Sequence, residues 1–166
     1  MSGSAVLAAD VLAADVRRAV DAVQDPELGD VTIGDMGLVV RVEVDGATHA
    51  VRVDLRPALL GCPAVSLVDA QVRAAASAAG APSVDVRIVH APRWDPSAVS
   101  AVGRARLASL GIAVPALNGD VRCPYCGSDD VEPRSDVSSA ACRSVAWCVS
   151  CRSAVDVLRG GPIPTR

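Results

Sequence analysis

The chain is 166 residues long, which suits one domain of ordinary size or a small domain with an appendage. Apolar residues make up 51% of it and the net charge is −3, which excludes wholesale disorder and argues against affinity built mainly on phosphate neutralisation. No apolar run approaches the roughly 20 residues of a membrane span. Met1 to Asp15 has no basic residue ahead of an apolar stretch, as a secretory signal requires; a cytoplasmic chain without a membrane partner is expected.

All 16 basic residues are Arg, Lys and Phe are absent, and Ala with Val fills about a third of the chain. That is the mark of GC-rich coding, hence of a bacterial source, and it leaves a core of small side chains with Trp94, Trp147 and Tyr125 as the only aromatics.

In chain order, residues 1–9 read as a flexible N-terminus. Asp10 is placed to cap a helix running to about Gln24, with Leu12, Val16, Val20 and Val23 on one face, and Asp25-Pro26 closes it. Leu38, Val40, Val42 and Val44 alternate with Val39, Arg41 and Glu43 as a half-buried strand. Val51, Val53 and Leu55 return after an Asp45-Gly46 turn, making a β-hairpin. A loop from Arg56 to Pro63 leads to a helix marked by Val65, Val68 and Val72 and stopped near Gly80. Val84 to Val89 reads as a third strand and Ser97 to Leu110 as a third helix closed by Gly111. The expected fold is α+β: a small three-stranded sheet with helices packed on it over residues 10–114. A linker at 115–121, a small four-cysteine ribbon at 122–159 and a flexible end at 160–166 follow.

The ribbon rests on Cys123-Pro-Tyr-Cys126 and Cys148-Val-Ser-Cys151. Each C-x-x-C turn presents two thiolates to one ion, and two turns complete the four-sulfur tetrahedron that zinc prefers. Gly127 suits the left-handed backbone such a knuckle needs, whereas Arg152 stands at the matching place in the second. A structural zinc that folds the segment is one reading; a rubredoxin-like iron site for electron transfer is the other, since both metals accept four thiolates. Five Arg balance five acids between Arg122 and Arg159, and stacking aromatics are almost lacking, so nucleic acid is not an expected partner. Cys142, six residues before the second knuckle, reads either as a buried small hydrophobe or as an additional thiol for a partner or a second metal.

Cys62 stands alone in the first domain, in Gly61-Cys62-Pro63. With Pro63 at the first helical position, Cys62 would be the cap residue, its sulfur facing unsatisfied N–H groups that favour thiolate. Gly61 would let another group approach the backbone. Asp25, Glu27 and Asp35 lie in the loops ahead of the hairpin and are placed either to approach Cys62 across the sheet end or, as loop acids commonly do, to be solvated or to cap a turn. No hydrolase triad order, phosphate-binding glycine loop or H-E-x-x-H is present, and intrinsic catalysis is not expected.

These residues carry a resemblance. Asp25-Pro26-Glu27, Asp35-Met36-Gly37-Leu38 and Gly61-Cys62-Pro63 resemble the D-P-E, D-L-G and G-C-P signatures of the iron–sulfur assembly domain of SufT-like carriers. The stretch Trp94 to Pro115, with Gly103-Arg104, Leu107 and Gly111-Ile112-Ala113, together with the ribbon and Ala141-Cys142, is similar to the PaaD (PaaJ) family. That family belongs to the bacterial phenylacetyl-CoA 1,2-epoxidase system. Departures are Arg56-Pro57-Ala58 for the family's T-P-T, Val137, Val155 and Val157 at aromatic positions, and Arg143 for Lys.

The resemblance implies an accessory or maturation subunit of that multicomponent oxygenase in aerobic phenylacetate catabolism. Such a subunit aids assembly of an iron–sulfur or iron centre, with Cys62 as cluster-transfer thiol, a transient iron–sulfur cluster as cargo and zinc in the ribbon. Oxygenase or reductase subunits are the implied partners, and homodimerisation is left open. The di-iron ligands of an oxygenase need several Glu and His on helices, and this chain has three Glu and two His in all. A structural or electron-relay subunit and a general iron–sulfur carrier are the alternatives.

Overall fold

The structure, a computed structural model, describes residues 2–59, 61–136 and 138–159. The predicted flexible end at 160–166 and the substitution at Val137 lie outside these residues. Helix α1 spans Ser2–Asp21, so the chain from Ser2 is helical rather than a flexible lead, and Asp10 lies within the helix instead of capping it. The reason is periodicity: Ala9 is buried on the stripe that continues through Val16 and Val20, and the Ala-rich start has high helix propensity.

Strands β1 (Val39–Val44), β2 (Val51–Leu55) and β3 (Val84–Ile88) form a sheet in the order β1-β2-β3. The hairpin pairs antiparallel, and β2 pairs parallel with β3 through the crossover helix α2 (Val65–Ala78). Val51, Val53 and Leu55 are buried while Arg52 points outward. In β1 the expected alternation slips: Val39 is buried and Val40 exposed, because the register shifts between Val39 and Arg41, and a bulge there turns Val40 out of phase. Helix α1 lies against β1, α2 against β3, and the two helices touch. Arg41, Glu43, Arg52, Asp85 and Arg87 are joined by ion pairs across the three strands.

The predicted third helix is split. A single 3-10 turn at Pro96–Ala98 is capped by Asp95, and helix α3 (Ala101–Ser109) starts afresh with Ser100, whose hydroxyl accepts from the Gly103 N–H at 2.9 Å. Extended backbone at Val99 and Ser100 separates the two, so each has its own cap.

Beyond α3, β4 (Ile112–Ala113), β5 (Val131–Ser135), β6 (Arg143–Cys148) and β7 (Ser153–Leu158) make a second sheet in the order β4-β7-β6-β5. Ile112 and Ala113, expected at the end of the first domain, instead pair parallel with β7 as the edge of the ribbon sheet. The linker folds into a turn in which Ala116 N–H donates to the Asp120 carbonyl. Ile112 and Leu158 are both buried in the main core, with Val16, Val53, Val72 and Leu107. The ribbon is therefore not a separately folded tail, since its strand ends complete the core of the α+β part.

Candidate functional site

The β6–β7 hairpin has two chemically distinct ends. Its register pairs Cys148 with Ser153 at one end and Arg143 with Leu158 at the other. At the first end the tight turn holds Cys148 and Cys151, and the loop before β5 brings Cys123 and Cys126 beside them.

The four sulfurs all lie within 4.8 Å of one another. The Cys123–Cys151 and Cys126–Cys148 pairs stand 3.7 and 3.6 Å apart, close to the edge of about 3.8 Å for a tetrahedron of zinc–sulfur bonds near 2.3 Å. Gly127 and Arg152 adopt φ of 74° and 57°, so both knuckles use the left-handed backbone and Arg152 departs in residue type only. The Ser128 and Ser150 hydroxyls meet at 2.8 Å, and Val149 N–H donates to the Asp130 carbonyl, which ties the knuckles together. Cys123 and Cys148 are buried, whereas Cys126 is exposed. The donor set and its spacing fit zinc, held by Cys123, Cys126, Cys148 and Cys151, and what the ion would supply is folding free energy.

The opposite end of the hairpin faces the α+β part across a cavity of about 50 Å³. Its wall is mainly aliphatic, and the ionisable side chains on it are Asp25, Glu27, Cys62 and Cys142. Asp25 ends the turn after α1; its carboxylate accepts from the Glu27 N–H at 2.9 Å. Burial raises its pKa and the Glu27 charge adds to that, against hydrogen bonds from the Glu27 and Leu28 N–H groups and the Arg143 guanidinium.

Cys62 is half-buried. It is not the helix cap: α2 begins at Val65 with Ala64 at its cap and no side-chain bond there, and the Cys62 carbonyl accepts from Val65 N–H at 3.2 Å. The Cys62-Pro63-Ala64 segment is spent on a turn before the helix, so the dipole argument for thiolate does not apply. Gly61 has φ of 77° with open space where a Cβ would stand. The left-handed turn is what requires glycine here, and the open space leaves the backbone approachable.

Cys142 is 8% exposed. Burial first, then the Asp25 carboxylate, pushes its thiol up to about 11; Arg143 opposes this, and Cys62 and Glu27 add to it. It cannot reach the zinc site, because six residues of strand put it about 20 Å from Cys148. Next to it, Arg143 pairs with Asp156 at 3.0 Å and reaches the Glu27 carbonyl at 3.5 Å, joining the ribbon to the Asp25 loop.

The third expected acid is elsewhere. Asp35 does not line this cavity: it accepts from Ser100 Oγ at 2.9 Å and Arg106 at 2.7 Å, while its N–H donates to Thr32 Oγ1. Its work is to anchor α3, and a Cβ at Gly103 would sit 2.8 Å from the Asp35 carbonyl. Met36, its neighbour, does line the cavity and is held by Trp94, whose ring N–H donates to the Met36 carbonyl at 2.6 Å. The place of Cys142 on the same cavity wall as Cys62 has one sequence signal: its position just ahead of β6, at the far end from Cys148.

Residues 13–88 match the family described as iron-sulfur cluster assembly protein, and residues 113–159 match the PaaD zinc beta ribbon domain. Among solved structures, a DUF59 domain of unknown function from Bacillus anthracis is 24% identical, covering 61% of this chain and 96% of its own, with a TM-score of 0.57; it supports the fold. A conserved hypothetical protein from Thermotoga maritima is 26% identical over 57% of this chain and 91% of its own, TM-score 0.49. A Mycobacterium tuberculosis protein associated with iron–sulfur complex assembly and repair is 30% identical over 61% of this chain and 87% of its own, TM-score 0.36. Among curated proteins, none matches. Asp25, Glu27, Asp35 and Cys62 all fall in the first matched segment and the four knuckle cysteines with Cys142 in the second, so the chain carries a segment matching the iron–sulfur cluster assembly family followed by one matching the PaaD zinc ribbon.

Proposed function

We propose that the protein is a maturation factor for the phenylacetyl-CoA 1,2-epoxidase system, aiding assembly of an iron–sulfur or iron centre in an oxygenase or reductase subunit. The observation that carries this reading is the cavity lined by Cys62, Asp25 and Glu27 together with Cys142 and Leu158 at the end of the ribbon hairpin. A half-buried thiol beside carboxylates, at the edge of an aliphatic wall, holds a thiophilic cargo away from bulk water while leaving a partner's ligands a way in. The pairing of an assembly domain with a PaaD ribbon supports the epoxidase as the recipient. Zinc fixes the ribbon, and the ribbon closes the cavity and offers the docking surface. Cys62, Asp25 and Glu27 act on the cargo, and no bond of an organic substrate is made or broken.

The test is co-expression of the epoxidase subunits with either the wild-type chain or Cys62→Ser. The expected outcome is a fall of about tenfold in partner iron and sulfide content, and in epoxidase turnover, with the variant's own zinc content and melting temperature unchanged. Equal cluster content with both chains would refute the reading.

A further inference from the structure

The two thiols of the cavity come from opposite halves of the molecule: Cys62 precedes α2, and Cys142 precedes β6 of the ribbon. We propose that this seam is a second metal site, in which Cys62 and Cys142 each give a thiolate and Asp25 a carboxylate to one divalent transition-metal ion of the iron(II) class. The proposal rests on the reading of Cys62 as the working thiol and adds its ligand partner.

Four features of the seam support it. Every ionisable side chain on the cavity wall is of the kind that becomes an anion and ligates metals: two thiols and two carboxyls. The cation beside them, Arg143, pairs with Asp156 and reaches the Glu27 carbonyl, and its charge favours the anionic forms of Asp25 and Cys142. A cavity of about 50 Å³ holds an ion with a few waters, because one water needs roughly 10–15 Å³ of such space. The donor set is mixed: two soft sulfurs turn away magnesium and calcium, and the hard carboxylate favours a divalent ion over copper(I).

The seam also differs from the ribbon site in a way that suits cargo. Among the described residues, the ribbon cysteines are the one group of three or more candidate ligands already drawn together, all within 4.8 Å of one another. The seam ligands would have to close on an ion as it binds, and part of the binding free energy would go into that closure. A zinc held by four preset thiolates stays; an ion held by ligands drawn in from two modules is released more readily. Loading breaks two S–H bonds and forms two metal–sulfur bonds, sending two protons to solvent with no change in oxidation state. Affinity should accordingly rise with pH.

The experiment uses the full chain carrying one zinc, reduced and kept anaerobic, titrated with cobalt(II) as the probe and then with iron(II). Expected is one further equivalent bound with the zinc retained, thiolate-to-cobalt charge-transfer absorption, and release of two protons. Cys142→Ser should weaken binding at least tenfold and cut the charge-transfer intensity by about half, and Asp25→Asn should weaken it with the intensity kept. Binding by Cys142→Ser equal to wild type, a second equivalent taken only by displacing zinc, or a Cys62–Cys142 disulfide in place of metal uptake would each overturn the site. The two ideas fail separately. Maturation lost in Cys62→Ser but intact in a Cys142→Ser chain that binds cobalt normally sinks the seam site alone. Cobalt binding that needs both cysteines, with maturation indifferent to either, sinks the maturation role alone.

Discussion

At Asp25 burial works against charge. Its pKa is raised, so the folded state favours the protonated carboxyl. The stability this group contributes is present below its unfolded pKa and disappears as pH rises through the higher folded value. At neutral pH the carboxylate is thus held at a cost, and Asp25→Asn, which keeps the acceptor for the Glu27 N–H, should raise Tm by about 1–2 °C at pH 7. The gain should shrink as pH is lowered toward the ordinary carboxylate range of about 4. Scanning calorimetry at several pH values checks this; a lower Tm at pH 7 would mean the charge is stabilising. Asp35 has the same chemistry and an opposite use, since its oxygens are consumed by Ser100 and Arg106. In sequence the two acids look alike. What separates them is a contact more than sixty residues away, which local patterning does not carry.

Among the elements, the three strands of the first sheet and α2 are legible because each is a run of alternating or 3.6-period apolar residues bounded by Gly or Pro, whereas the four strands of the ribbon sheet are not. The misreadings fall where two local signals compete. Ser97 to Leu110 has enough helix formers to read as one helix, yet Asp95 just ahead of it and Ser100 within it are two capping residues five positions apart, and each starts its own turn. Ser100 caps α3 and also donates to Asp35. Ser100→Ala should therefore cost about 1 kcal/mol, a fall in Tm of roughly 2–4 °C for a chain of this size. Thr at this position should restore most of it, and a Ser100→Ala chain as stable as wild type would show the cap to be dispensable. The bulge in β1 and the early start of α1 were misplaced for a related reason: burial against neighbouring elements outweighs the nearest cap or alternation signal.

At the scale of the whole molecule, the two modules are stitched along one seam. Ile112 and Leu158 are ribbon residues by pairing and main-core residues by burial. The four-cysteine site was readable from spacing alone, because a metal imposes its geometry on local turns. The shared core was not, because Leu158 in the sequence is only one more apolar residue at a strand end. Zinc at one end of the hairpin should consequently stabilise the whole chain. Removing it with a strong chelator, or replacing Cys148 by Ser, should lower a single thermal transition by about 10 °C or more. A separate low-temperature step confined to the ribbon, with the main transition unmoved, would contradict this.

The same stitching bears on how the protein can be taken apart. A fragment ending after α3 would lose Leu158 and Cys142, leaving Met36, Leu38 and Leu55 as the floor of an open greasy bowl. Such a piece would stick to itself and to bystanders, and pull-downs with isolated halves would report that stickiness in place of recognition. Mapping of recipients belongs to point variants in the intact chain.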